Sequence, residues 1–337
     1  MLFVLTLFHL AVDGVCGAAL YAFATEEMVW KTILGFFATY TIIAFGAQGL
    51  AGLILDSRPA LLPYSILLAL LTLWIGAYST KSFVGAVFLG IGNCLFHVAG
   101  GKYILEHTTS FTALGVFVSS GAIGLALGLE GFVGALFFLV LASFATLFVL
   151  YFLAFWPSGT ETSDDRFHLP IPNKQRLSRL GCLILLLACI VLRGFGGKGS
   201  VSEYVLLLPC IFALGKMLGG ILCDRIGFQK TLLTIFLGGF VALQCEGFVP
   251  FLLVILAFNM TMPLTLKLAY SCFPKKAGCI FGLCASCLVP GAFFAADIAL
   301  PPQAMLTLAF LTLFAAGALL GFLPHTPSLF QKSHPAS

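Results

Sequence analysis

Two pairs of polar residues interrupt apolar stretches of the chain at helical spacing, His9 with Asp13 and Asn93 with His97. A separation of four residues puts both members of a pair on one helix face. An ionised carboxylate in the middle of an apolar helix costs about 3 kcal/mol or more unless it is paired or protonated. An imidazole one turn away on the same face can share that proton or a hydrogen bond with it. The chemistry this points to is proton uptake and release at Asp13, assisted by His9; the competing reading is a structural polar pair that ties helices together. Asn93 and His97 are read as lining a cavity, against the alternative of satisfied packing residues. The His and carboxylate spacings assemble no metal-ligand set along the chain. Neither a nucleotide-binding loop nor a Ser/His/Asp or paired-Asp constellation occurs, so no metal, no cofactor and no enzymatic reaction is expected.

Arg193, Lys216 and Lys267 place positive charge inside apolar runs of the second half. A guanidinium keeps its proton and grips planar oxyanions with a fork of donors, which makes Arg193 the first candidate for a substrate carboxylate or phosphonate. Lys216 and Lys267 are candidates of the same kind. For all three the alternative is snorkelling, in which the apolar stem lies in the membrane and the charge reaches the interface. An anionic substrate is the expectation these bases create. Asp297 sits near the end of a later apolar run, where pairing with solvent or a lipid head group is the simpler reading.

These residues need helices to carry them. Of the 337 residues 60% are hydrophobic and only 9% charged, with a mean hydropathy of +1.09. Soluble domains carry about 25% charged residues, and so few charges cannot cover a water-soluble body of 35.9 kDa. A soluble enzyme and a disordered chain are both excluded, as is a β-barrel, because the apolar runs are continuous for about twenty residues. The eleven cysteines fall mostly inside those runs and read as small packing residues. Gly121, Gly124 and Gly128 read as scaffold that lets their helix pack tightly. The first apolar run lacks a basic n-region and contains His9 and Asp13, so it is read as a retained span.

Cutting the runs at Pro, Gly and charge clusters yields twelve spans, near 2–24, 29–55, 60–79, 82–106, 110–128, 132–156, 179–196, 202–223, 229–246, 249–272, 277–299 and 303–323. The polar stretch 157–178 separates six spans from six and reads as a cytoplasmic linker between bundles 1–156 and 179–325, with a tail at 326–337. With alternating spans and an inner N-terminus, eleven basic residues lie on inner flanks, among them Arg58, Lys102, Arg225, Lys230, Lys275 and Lys276. Only Lys31, Lys81 and Lys198 lie on outer flanks, so both termini are expected in the cytoplasm. The halves also repeat: Phe45 to Arg58 parallels Phe212 to Gly227, pairing Gln48 with Lys216, Gly52 with Gly220 and Asp56 with Asp224, and Asn93 parallels Asn259. Two parallel six-helix halves with a cavity between them follow.

The segment Gly220-Ile-Leu-Cys-Asp224-Arg225-Ile-Gly227-Phe-Gln-Lys230 resembles the signature loop of the major facilitator superfamily, and Gly52-Leu-Ile-Leu-Asp56-Ser-Arg58 is a reduced copy. Physically it is a tight turn, with Gly220 for close helix approach, Asp224 to cap the next helix or pair with a base, and Gly227 for the reversal. His9-Leu-Ala-Val-Asp13, Gly90 to His97, Gly121 to Gly128 and Leu192-Arg193-Gly194 resemble the fosmidomycin-resistance-like branch. Phe96-His97-Val98 stands where that branch has Phe-His-Pro, and Leu129 follows Gly128 where a Gly-Pro often stands. The resemblance implies a twelve-helix, all-α secondary transporter, a proton-coupled antiporter that exports a small organic or anionic compound by alternating access. A solute importer or facilitator on the same scaffold is the alternative. The expected partners are a small-molecule substrate, protons and membrane lipid, with no nucleic acid; the expected state is a monomer in a bacterial cytoplasmic membrane.

Overall fold

A computed structural model of the protein describes residues 1–27, 29–80, 82–155, 176–195, 206–294 and 301–320. The described residues are almost all helical: α1 (Leu2–Glu26), α2 (Trp30–Thr41), α3 (Gln48–Ser57), α4 (Leu62–Tyr78), α5 (Phe83–His107), α6 (Phe111–Leu129), α7 (Ala135–Phe155), α8 (Arg176–Phe195), α9 (Leu207–Ile226), α10 (Phe228–Leu243), α11 (Phe248–Cys272), α12 (Ala277–Ser286), α13 (Leu288–Phe294) and α14 (Pro302–Leu319). A π turn at Ile42–Gly46 joins α2 to α3, and Cys287 alone separates α12 from α13, so these helices form twelve segments. Eight are long and apolar enough to cross a membrane among the described residues. Most of the expected linker, and Asp297, lie outside the described residues; the last part of the linker, 176–178, opens α8.

Apolar side chains face outward as well as inward. Phe137, Phe144, Leu147 and Tyr151 of α7 are exposed, while Phe8, Phe36, Phe96, Phe117 and Phe258 are fully buried. Water would penalise the first group, and hydrocarbon does not.

With lipid outside and apolar side chains inside, close packing rather than the hydrophobic effect decides which helices touch. Helices α1 and α6 meet backbone to backbone through glycine. A Cβ on Gly124 would stand 2.0 Å from the Leu10 carbonyl oxygen, one on Gly17 2.4 Å from that of Leu125, and one on Gly128 2.4 Å from that of Gly14. Each distance is far inside van der Waals contact, so only glycine fits. The seam brings His9 and Asp13 of α1 against Phe117 and Gly121 of α6.

The second segment is not a continuous α-helix. Its π turn loosens the backbone ladder, and the freed carbonyls find side chains: Gln48 Nε2 donates to Ala44 O at 2.7 Å and Ser286 Oγ of α12 donates to Phe45 O at 2.6 Å. In the eleventh segment the break falls at Cys287, next to Ser286, whose carbonyl Pro290 cannot serve.

Replacing Gly124 by Val should therefore separate α1 from α6 and lower stability by about 1–3 kcal/mol. Gly181→Ala, where a Cβ meets nothing within 4 Å, should be neutral or slightly stabilising. Thermal unfolding of the detergent-solubilised variants checks the contrast, and equal midpoints would contradict it.

Candidate functional site

The two sequence pairs converge into one buried cluster. His9 Nε2 and His97 Nε2 lie 2.8 Å apart, and the Asp13 carboxylate stands 3.4 Å from the first through Oδ2 and 3.6 Å from the second through Oδ1. Asn93 Nδ2 donates to Asp13 Oδ1 at 2.8 Å. The outer nitrogens of both rings are engaged, His9 Nδ1 with Phe117 O at 2.7 Å and His97 Nδ1 with Asn93 O at 2.9 Å.

These contacts fix the tautomers. A carbonyl oxygen can only accept, so both Nδ1 atoms must carry hydrogen. A neutral imidazole then has a bare lone pair at Nε2. Two such lone pairs face each other at 2.8 Å beside a carboxylate, an arrangement that repels unless a cation lies between them. One proton on either Nε2 turns the contact into an N–H···N hydrogen bond and gives the carboxylate its counter-charge. The cluster can thus take up one positive charge.

Gly121 forms its back wall. A Cβ there would stand 2.3 Å from Asp13 Oδ2 and 2.4 Å from His9 Nε2. Gly121 is therefore more than scaffold, because it also makes room for the charge. Asn93 Oδ1 is buried and has no hydrogen-bond partner among the described residues.

Two further constellations repeat each other. Asp56, at the end of α3, accepts from the backbone N–H groups of Gly278 at 2.9 Å and Cys279 at 2.8 Å, in the first turn of α12. Asp224, near the end of α9, accepts from Phe111 N at 3.0 Å, Thr112 N at 2.8 Å and Ser110 Oγ at 2.6 Å, at the start of α6. In both cases a carboxylate meets orphan donors at the positive end of a helix dipole. Gly52 and Gly220 allow the approach, since a Cβ would stand 2.1 Å from Gly278 O and 2.4 Å from Phe111 O. Gly227 takes φ +84°, the conformation its turn requires. Arg58, Arg225 and Lys230 are exposed.

The cations of the second half have different surroundings. Arg193 is buried, with its guanidinium 3.5 Å from Thr261 Oγ1 and 3.4 Å from Thr265 Oγ1. Those contacts are too long to occupy the fork, and no carboxylate pairs with it among the described residues. Lys216 Nζ donates to Val118 O at 3.2 Å, the carbonyl next to the one that receives His9, and lies within electrostatic reach of both Arg193 and Asp13. Lys267 is 1% exposed, donates to Thr108 O and stands over the Tyr270 ring.

No protein-family model and no curated protein matches the sequence. Solved structures do resemble the whole chain. The E. coli fucose:proton symporter FucP, a major facilitator superfamily transporter, matches with a TM-score of 0.62 at 12% identity, over 96% of this chain and 98% of that one. The human organic anion transporter MFSD10 matches at 0.61 and 14% identity, over 95% and 97%. A bacterial homologue of the iron transporter ferroportin, in an outward-facing state, matches at 0.56 and 12%, over 95% and 98%. The chain has the major facilitator fold. It is an integral membrane protein by that fold and by its apolar helices.

Within the major facilitator fold the sequence-derived candidates separate into groups. His9, Asp13, Asn93 and His97 form one cluster, and Arg193 and Lys216 are buried or half-buried without a carboxylate partner among the described residues. Two expectations are corrected. Asp224 caps α6, not the helix that follows it, because the orphan N–H groups of a glycine-tight neighbour are nearer. Lys267 does not reach out of the protein, because the Thr108 carbonyl holds it inside. Lys102, placed on an inner flank, is buried and paired with Asp56 at 3.0 Å and with Glu106. Asn259 donates to Ile255 O of its own helix, and Gln48 serves the π turn.

Asp56→Asn and Asp224→Asn keep a hydrogen-bond acceptor but remove the charge from each helix end, and each should weaken its contact by about 1 kcal/mol. Native Cys279, half-buried and bonded through its N–H to Asp56 Oδ2, reports the first. Its labelling by a thiol reagent should accelerate about fivefold in Asp56→Asn, and an unchanged rate would show that the charge contributes nothing.

Proposed function

We propose that the protein is a proton-coupled secondary transporter that exports a small organic anion by alternating access between the halves 1–156 and 179–325, and that it is not an enzyme. The observation that carries this reading is the convergence of His9 Nε2, His97 Nε2 and the Asp13 carboxylate on one point. A buried site complete with one proton, and repulsive without it, gives a transporter a binding step for the coupling ion. Nothing in the cluster needs another energy source.

The second half supplies the other ligand. Arg193 and Lys216 present positive charge from α8 and α9 with few hydrogen-bond partners, so an anion between the halves would gain charge-assisted bonds that the threonine hydroxyls do not provide. Lys216 also links the two sites. Its ammonium and the His9 ring occupy adjacent carbonyls of α6, Val118 O and Phe117 O. An anion that draws Lys216 away alters the same turn of helix that holds the proton site.

Asp56 and Asp224 act as latches. With the basic loops on the cytoplasmic side of a bacterial inner membrane, both latches are engaged and that side is sealed. Opening requires the carboxylates to leave the starts of α12 and α6. Export follows from the resemblance to the fosmidomycin-resistance-like branch; import is the second reading, favoured by the likeness of fold to a fucose:proton symporter. The transporter works as a monomer surrounded by lipid.

Reconstituted Asp13→Asn should bind substrate yet lose its dependence on a pH gradient, because an amide keeps the shape but takes up no proton. Asp224→Asn should slow transport and keep that dependence. Normal pH-coupled transport by Asp13→Asn would end the proton role of the residue. For the substrate, a carboxylic acid should bind about tenfold better than its neutral amide, as one charge-assisted hydrogen bond predicts. Arg193→Gln should erase the difference, and equal affinities in the wild type would move the substrate class from anions to neutral compounds.

A further inference from the structure

We propose that His9, Asp13 and His97 also constitute a binding site for a divalent first-row transition-metal ion of the zinc or cobalt class, which takes the place of the shared proton. The two histidines and the carboxylate each offer a ligand atom, and all three atoms lie within 4.8 Å of one another. Two imidazole nitrogens and one carboxylate oxygen form a set that suits zinc and its neighbours, whereas magnesium and calcium take oxygen alone.

The surroundings are those of a metal site. Histidine ligands characteristically donate their other ring N–H to a backbone carbonyl, which fixes the ring and raises the basicity of the ligating nitrogen. Both rings do so here, through Phe117 O and Asn93 O. The carboxylate is held in turn by Asn93 Nδ2. Gly121 keeps the cradle open where any side chain would fill it, and the buried Asn93 Oδ1 is a polar atom still without a partner among the described residues.

The distances require one small change. Tetrahedral zinc with bonds of about 2.0–2.1 Å separates its ligand atoms by about 3.3 Å. The two nitrogen–oxygen separations, 3.4 and 3.6 Å, are already close to that value. The nitrogen–nitrogen separation of 2.8 Å suits a proton, and it must widen by about half an ångström for the ion. The Asp13 and His97 side chains keep 13% and 8% of their surface accessible, so the ion has an approach. Three protein ligands leave a fourth position for water or for an anionic group of the transported compound.

The site does not depend on the transport reading. The test uses the full-length protein in detergent, with Co(II) and Zn(II) as the probes. Co(II) should give the visible bands of a tetrahedral nitrogen–oxygen site at one ion per chain, and Zn(II) should displace it while Mg(II) should not. His97→Gln should abolish the bands, and Asn93→Ala should weaken binding at least tenfold. His107→Gln, on the same helix but stacked on Tyr103 at the exposed end, should leave them unchanged.

Absence of the bands in the wild type overturns the site. So does a thiolate spectrum from the cysteines, or persistence of the bands in His97→Gln when that variant unfolds at the wild-type temperature. Should His97→Gln fail to fold, the wild-type spectrum and the Asn93→Ala titration decide. A protein that binds no metal yet loses pH coupling in Asp13→Asn refutes this inference and leaves the proton reading standing. Metal binding with unaltered pH coupling in Asp13→Asn does the reverse.

Discussion

Two backbone carbonyls decide the character of the site. Phe117 O and Asn93 O take the Nδ1 hydrogens of His9 and His97, and the Nε2 lone pairs are thereby turned toward each other and toward Asp13. Three acceptors then share a space that is nearly closed to water. On the proposed reading such a site has one stable occupant, a cation, and a high cost without it. The glycine seam between α1 and α6 serves this constraint, because a wider spacing would move Phe117 O out of reach of His9 and let the ring turn.

Helix α6 connects this site to the rest of the protein. Its first turn receives Asp224 from α9, its middle carbonyls receive His9 and Lys216, and its glycines hold α1. On the proposed reading, a movement that releases Asp224 from the N-terminus of α6 would strain the Lys216 contact with Val118 O at the same time. The inner-face latch and the cation site would then be coupled through one rigid element. The matching contact of Asp56 with α12 lies beside Lys102, whose ammonium supplies a counter-charge to the buried carboxylate.

Much of this is legible in the sequence. The pairs His9–Asp13 and Asn93–His97 stand out because an i, i+4 spacing is local and polar residues inside apolar runs are costly. Within the described residues the expected spans fall almost wholly inside the helices observed, since apolar length is also a local property; the ninth runs past its helix, which ends at Leu243. The convergence of the two pairs is not legible, because it depends on how three helices cross, and that is fixed by glycines whose partners are distant in the chain. The same distance hides the partners of Asp224 and Lys267, which contact residues more than 100 positions away. Gln48 aligns with Lys216 and reads as a ligand, but a π turn, which depends on tertiary context, gives it a backbone role.

The cation site stands or falls on the protonation of two rings, which selectively labelled nitrogen-15 histidine reports directly. The spectrum of the purified protein should contain two imidazoles with hydrogen on Nδ1, joined by a single proton between their Nε2 atoms, and both signals should disappear into one ordinary pattern when either His9 or His97 is replaced. A neutral ring carrying its hydrogen on Nε2 at either position would contradict the arrangement from which the cation site is derived.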